Sequence, residues 1–440
     1  MLVRYSLILL LALCLINFPA LADSRLGELL RGSDVTPALS GLQVSLMERG
    51  HHTESFAYGF AQLKKEGPVA LRTDHKVRVA SVSKLLVAIG IMQLVEASLL
   101  DLDEDVSSYL GWTFRNPAFP EQKISARQLL SHTSSVRDGP RYFIRAGQGE
   151  LRDFFDPHSG YWDDGSHFAK KSGQKPGRYF YYANLNFGLL GELLERLSRR
   201  RFDQYMATRV LDPLGLSARF SPCDIPASQL ASTYRKGDGE GNWNPEGPWV
   251  SQVDGVRPSC FYGAESLADA QGFLERYRPG SNASLFSPQG GLRASADDLI
   301  QVMRMLVNEG VLEGRRILKP QSIDVLLRSS WTINSTGNNG NTSGEAEPGG
   351  STDGLMASYG LSVHRIDMRA WGFADGPTLL VGHLGEAYGV LSHALFDPES
   401  GDGIATIITG TAADPASSPA GHSPLYRVEE EVLRWWLSRE

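Results

Sequence analysis

The sequence predicts an α+β fold: an antiparallel β-sheet built from both ends of the chain and flanked by helices, with an all-helical lobe inserted between its halves. Three observations predict it. Short β-type runs cluster near the start, at 42–47 and 55–61, and again near the end, at 355–366, 378–383, 390–396 and 403–408. Between them, over about 101–330, the pattern is helix and loop. A segment that is apolar almost all round, including Leu85, Leu86, Val87, Ala88, Ile89, Ile91, Met92, Leu94 and Val95, reads as a buried central helix starting near Ser81.

In chain order, the opening residues carry Arg4, an apolar run over 7–16, then Pro19 and the small-residue site Ala20-Leu21-Ala22. The run is too short to span a bilayer, so residues 1–22 read as a secretory signal peptide cleaved near Ala22, and the protein as periplasmic or secreted. Cys14 has no lipobox around it. The rest, 23–440, reads as one catalytic domain, with an α/β lobe at about 35–100 and 355–440 and a helical lobe at about 101–330. Glu48-Arg49-Gly50 turns the first two strands into a hairpin. Helical patterns follow at 126–130, 184–197, 202–211 and 297–308, and a terminal helix at 425–437. The polar tract within 332–354, with Asn334, Gly337, Asn338, Asn339, Gly340 and Asn341, has nothing to bury and predicts a flexible surface loop.

Composition bounds the function. With 42% hydrophobic and 21% charged residues the chain is globular, and a net charge of −7 without a basic stripe excludes nucleic acid as a partner. Cys223 and Cys260 survive processing, and an even count in an oxidising compartment favours one disulfide between them.

Ser81-Val82-Ser83-Lys84 at the head of the central helix is an S-x-x-K element. Residues i and i+3 share a helix face, so the amine reaches the hydroxyl. A lysine desolvated by an apolar helix can act as the base a serine nucleophile needs. The helix N-terminus adds a backbone N–H for an oxyanion. Ser172-Gly173-Gln174-Lys175 also matches the motif, but Gly173 and Pro176 make it a loop. Tyr182-Ala183-Asn184, ahead of a helix, supplies a phenol that can shuttle a proton and an amide that can bond a substrate. His383-Leu384-Gly385 ends an apolar strand; the glycine lets a substrate lie against the strand edge, and the backbone N–H of Glu386 is a candidate second oxyanion donor. His158-Ser159-Gly160 has the same spacing but ends no strand.

Ser81-x-x-Lys84, Tyr182-x-Asn184 and His383-x-Gly385, in that order, resemble the active-site elements of the serine β-lactamase and penicillin-binding-protein superfamily. The Tyr-x-Asn form resembles class C β-lactamases and their esterase and D-stereospecific peptidase relatives. Leu129-Leu130-Ser131-His132-Thr133-Ser134, Pro176-Gly177 and Gly290-Gly291-Leu292 are similar to recurrent segments of that family. The resemblance implies a β-lactamase/transpeptidase-like fold. It also implies acylation of Ser81, proton relay through Lys84 and Tyr182, an acyl side chain against Asn184, His383 standing where β-lactamases place a lysine, and an oxyanion held by the N–H groups of Ser81 and Glu386.

The departures bear on substrate. Leu384 cannot donate a hydrogen bond, and an inward Glu386 would repel a carboxylate. Arg293 is a candidate for the missing positive charge. No cofactor is expected; a zinc ion would have to sit on His383 and Glu386, or in the stretch with Asp156, His158, Asp163, Asp164 and His167. The expectation is a serine hydrolase acting on a small-molecule amide or ester, with the β-lactam ring as leading substrate. The alternatives are a carboxylesterase or D-amino-acid peptidase, and a catalytically silent binding protein.

Overall fold

A computed structural model describes residues 24–238, 242–255, 262, 264, 266–344 and 349–439. The signal-peptide segment and Cys260 lie outside the described residues. Cys223 is disulfide-bonded.

Both chain ends meet in the middle of one antiparallel sheet. Leu39–Glu48 pairs with His51–Lys64 on one side and with Gly403–Thr411 on the other. From there the sheet continues through Val390–Phe396, Leu379–Ala387 and His364–Asp367 to short strands at Ser358–Tyr359 and Trp331–Thr332. The period of two in the sequence sorts these strands between two cores. Leu380, Leu384, Leu391, Leu395, Ile404 and Ile408 face outward, against the helices Ser24–Arg31 and Arg427–Leu437. Val381, Val390, Ala394, Phe396, Ala405 and Ile407 face inward, against the helical lobe. In Leu379–Ala387 the odd-numbered residues therefore point toward that lobe and the even-numbered ones away from it.

The central helix Ser83–Glu96 runs through the inner core with Leu85 to Met92 buried without interruption, and packs on a second helix, Leu185–Ser198. A helix apolar on every side is stable only where it is enclosed on every side.

Two expectations are corrected. The inserted lobe is not all-helical: Thr233–Lys236 and Trp249–Val253 form a hairpin whose first strand joins the sheet by parallel pairing of Tyr234 and Arg235 with Gly410 and Thr411. Strands of four and five residues give too short an alternation to register in the sequence. The 355–366 run is two strands, broken where Gly360 N–H turns back to the Val363 carbonyl. The described part of the 332–354 tract makes specific contacts with the Phe180 segment. Phe180 N–H donates to the Asn339 carbonyl and Asn341 N–H to the Phe180 carbonyl, at 3.0 and 2.9 Å, and Trp331 stacks on Phe180 at 4.4 Å.

The short strand Val77–Arg78, which delivers the chain to Ser81, is anchored by a buried ion pair, Lys76 Nζ to Asp298 Oδ2 at 2.5 Å. Asp298 also closes the capping box of the helix Ala296–Val307. Asp298→Ala would strand a buried ammonium, and is expected to lower stability by about 3–5 kcal/mol, read as a lower urea midpoint. A loss under about 1 kcal/mol would show that the pair does not anchor this strand.

Candidate active site

Ser81 sits in a single 3₁₀ turn, Ala80–Val82, immediately ahead of the central helix. Ala80 is in the left-handed region at φ +44°, a conformation unfavourable for a residue with a Cβ, so the turn must be held by its surroundings. Ser83 holds it: its hydroxyl donates to the Ala80 carbonyl at 2.6 Å and accepts from Leu292 N–H at 3.0 Å. Val79 N–H donates to the Leu292 carbonyl, so Gly290-Gly291-Leu292 is laced to the turn from both sides. Ser83, the middle serine of the motif, has this clamping task, which the sequence did not disclose.

The side chain of Lys84 is fully buried. Its Nζ reaches Ser81 Oγ at 3.0 Å, Asn184 Oδ1 at 2.9 Å and the Gln289 carbonyl at 2.7 Å. The last two are acceptors only, so they occupy two of the amine's hydrogens, and its remaining position faces the serine. The Tyr182 ring lies 4.8 Å from the same nitrogen.

Two further residues fix the Tyr182-Ala183-Asn184 segment: Asp138, not singled out in the sequence, and His132, quoted there only within a family-like segment and given no role. Asp138 accepts from Leu185 N–H at 2.8 Å, satisfying an open donor at the start of Leu185–Ser198, and from Asn184 Nδ2 at 3.1 Å, which leaves Asn184 Oδ1 turned to Lys84. The other is His132. Its Nδ1 accepts from Ala183 N–H at 3.1 Å, so the proton is on Nε2, and its ring stacks on Tyr182 at 4.3 Å. Ser134 and Asn186 complete this buried network. Burial first, and then the Lys84 charge, holds the His132 imidazole well below its ordinary pKa, and it is neutral near pH 7.

The third predicted element divides. Gly385 lies against the nucleophile: a Cβ there would stand 3.0 Å from Ser81 N and 2.7 Å from the Val79 carbonyl. Of the strand Leu379–Ala387, only 379–382 pair with His364–Asp367, and Leu384 to Ala387 line the cleft. His383 does not present a lysine-like cation. It is buried and neutral, its Nδ1–H donates to the Leu384 carbonyl at 2.5 Å, and its Nε2 accepts from Tyr359 Oη at 3.0 Å, so neither ring nitrogen is left for a substrate. His364, packed on His383 at 4.7 Å, is the histidine that reaches the cleft wall.

Arg293 is likewise not a substrate anchor. It is buried, paired with Asp254 through Nε and Nη2 at 2.8 and 2.9 Å, and donates to the Gly291 carbonyl. Glu386 does not face Ser81: it is on the opposite side of the strand from Gly385 and accepts from Tyr426 Oη at 3.0 Å. His383 and Glu386, three apart on one strand, point to opposite faces and do not converge on a metal. Among the described residues no three His, Cys, Asp or Glu side chains converge as a metal-ligand set; His167 bonds the Arg141 carbonyl, and Asp163 and Asp164 bond Ser166 and Lys170.

The assembled site opens into a cleft of about 1050 Å³ bounded by Ser81, Tyr182, Asn184, Gln289 and the 384–391 hairpin.

A family model described as Beta-lactamase matches residues 28–426. Over 176 residues the chain is 26% identical to penicillin-binding protein 4* of Bacillus subtilis (strain 168), taking in 38% of this chain and 34% of that protein. The chain thus matches about a third of the length of such curated relatives. Two solved structures share the fold over 90% of this chain and 93% of their own. EstCE1, a hydrolase with promiscuous acyltransferase activity, has a TM-score of 0.59 at 20% identity. The D-amino acid amidase of Ochrobactrum anthropi SV3 has 0.56 at 19%.

The close approach at Gly385 sets a test. Gly385→Ala would push the strand off the Ser81 turn, and is expected to cut kcat/KM by about 100-fold or more while leaving the circular dichroism spectrum unchanged. A loss under threefold would show that the strand edge takes no part.

Proposed function

Because the chain belongs to the Beta-lactamase family, a family of serine hydrolases, we propose that it is an exported hydrolase that forms an acyl-enzyme at Ser81. The observation that carries this reading is the 3.0 Å contact between Lys84 Nζ and Ser81 Oγ, made by an amine whose other partners are acceptors. In its neutral form Lys84 donates to Asn184 and Gln289 and turns its lone pair to the serine hydroxyl. The hydroxyl proton passes to Nζ as Oγ attacks a carbonyl carbon. The oxyanion forms beside Ser81 N–H, with Glu386 N–H as the second donor. The leaving group takes its proton from the Lys84–Tyr182 pair, and water repeats the sequence on the acyl-enzyme.

The first substrate class is the β-lactam ring, read from the order and form of the three motifs. A second reading, open-chain esters or amides of D-amino acids, is favoured by His383: with both nitrogens engaged it offers no cation where β-lactamases place a lysine. Export is supported by the leader-like residues 1–22 and by the disulfide at Cys223.

Intact-mass spectrometry during reaction with benzylpenicillin, 4-nitrophenyl butyrate and D-phenylalaninamide tests the reading. An adduct on Ser81 that clears with ring-opened product establishes a β-lactamase, and turnover of the ester or amide without a penicillin adduct establishes the second class. Ser81→Ala is expected to abolish every adduct and cut turnover by about 10³-fold or more; undiminished turnover would place the nucleophile elsewhere. In an exporting host the protein recovered outside the cytoplasm should begin at Asp23, and recovery in the cytoplasm alone, with Met1 intact, would remove the export proposal.

A further inference from the structure

Two arginines on the cleft wall make no ion pair among the described residues, although the charge of Asp254 acts on Arg78. Arg78, three residues ahead of Ser81, donates from Nε to the Gly290 carbonyl at 2.8 Å and lays its guanidinium over the Tyr388 ring at 4.7 Å. Arg235 lies over Trp243 at 5.0 Å, and its buried Nε has no hydrogen-bond partner. Among the described residues neither makes an ion pair, whereas Arg293 has Asp254 and Arg115 has Asp105. Both stand at the tip of the hairpin whose first strand carries Gly385: Arg78 at Tyr388, and Arg235 at Gly389, where an added Cβ would meet its Cγ at 3.3 Å. Burial, then the charge of Arg293, pushes Arg78 down to about 10, which leaves it cationic at pH 7.

Sheltering a guanidinium without a counter-ion is unfavourable, and a carboxylate arriving with a ligand would relieve it through charge-assisted, bidentate hydrogen bonds. The carboxyl groups that line the same cleft, on Glu386, Asp414 and Glu429, make no ion pair with either arginine among the described residues. Glu386 is bonded to Tyr426, and burial and Glu386 push Glu429 up to about 8. The cleft is thus polarised, cationic at the hairpin tip and acidic beside Tyr426.

We propose that Arg78 and Arg235 form a carboxylate-recognition wall, so that the cleft selects esters or amides bearing a carboxylate and holds that group at the Tyr388-Gly389 tip while Ser81 attacks the carbonyl. The selection rests on the reading of Ser81 as nucleophile; the binding does not.

Two matched pairs test selection: 3-carboxyphenyl acetate with its methyl ester, and 4-nitrophenyl hydrogen adipate with its methyl ester. The wild type is expected to favour the anionic member, by kcat/KM, at least tenfold in one pair or both. Arg78→Gln and Arg235→Gln should each reduce that ratio at least fivefold, and Arg78→Lys should restore part of it. A wild-type ratio near one in both pairs, or a ratio unmoved in both glutamine variants, overturns the proposal. Binding is tested separately in Ser81→Ala by thermal shift with benzoate against benzamide. Benzoate alone should raise Tm, and adding Arg78→Gln should remove the rise. Equal responses to the two ligands would overturn the wall even if no ester is turned over, whereas ester turnover that survives Ser81→Ala would overturn only the nucleophile.

Discussion

The Lys84 amine ties together three segments remote in the chain: the Ser81 turn, Asn184 at the head of a second helix, and the Gln289 carbonyl ahead of Gly290. Each partner is held by something else. Ser83 fixes the turn, Asp138 orients the asparagine amide, and the Leu292 backbone locks the glycine segment. A buried amine tolerates little misplacement, because every hydrogen bond it loses is one that water cannot replace. The packing of the helical lobe on the sheet therefore has to be correct to a fraction of an ångström at this point, and the nearly unbroken burial of Ser83–Glu96 supplies that rigidity.

Strain and close approach sit on the two sides of the serine. Ala80 holds an unfavourable φ on one side; on the other, Gly385 lies so close that an added Cβ would meet the Val79 carbonyl at 2.7 Å and Ser81 N at 3.0 Å. These contacts leave the serine N–H and the strand edge facing a common space. In this chain the fold thus keeps a strained turn and a bare strand edge together at the serine.

What was legible in the sequence follows physical range. Ser81 and Lys84 are three residues apart on one helix, so a local motif sufficed to bring them together, and Tyr182 and Asn184 announced themselves ahead of a strong helical pattern. The sheet was legible because long strands alternate. Asp138 and Gln289 were not: one acts through a carboxylate placed by tertiary packing, the other through a backbone carbonyl that any residue type carries. Arg293 was misread because its partner Asp254 is distant in sequence, and a charge beside Gly-Gly-Leu looks uncompensated until the fold is seen. His383 was misread because a motif gives a position and not the direction of a ring.

Leu39–Glu48, near the start of the described chain, takes Gly403–Thr411, near its end, as a lateral neighbour. On a chain made from its N-terminus, that edge stays unpaired until more than 350 further residues have been added. Loop closure across such a span is slow, and an open apolar strand edge in the interim invites pairing with other chains. The topology therefore delays completion of the sheet, and with it the Ser81 site, until the chain has been made through Thr411. A chain truncated before Gly403 lacks the strand that joins the two halves of the sheet, so damaged or incomplete copies are the ones left with adhesive edges.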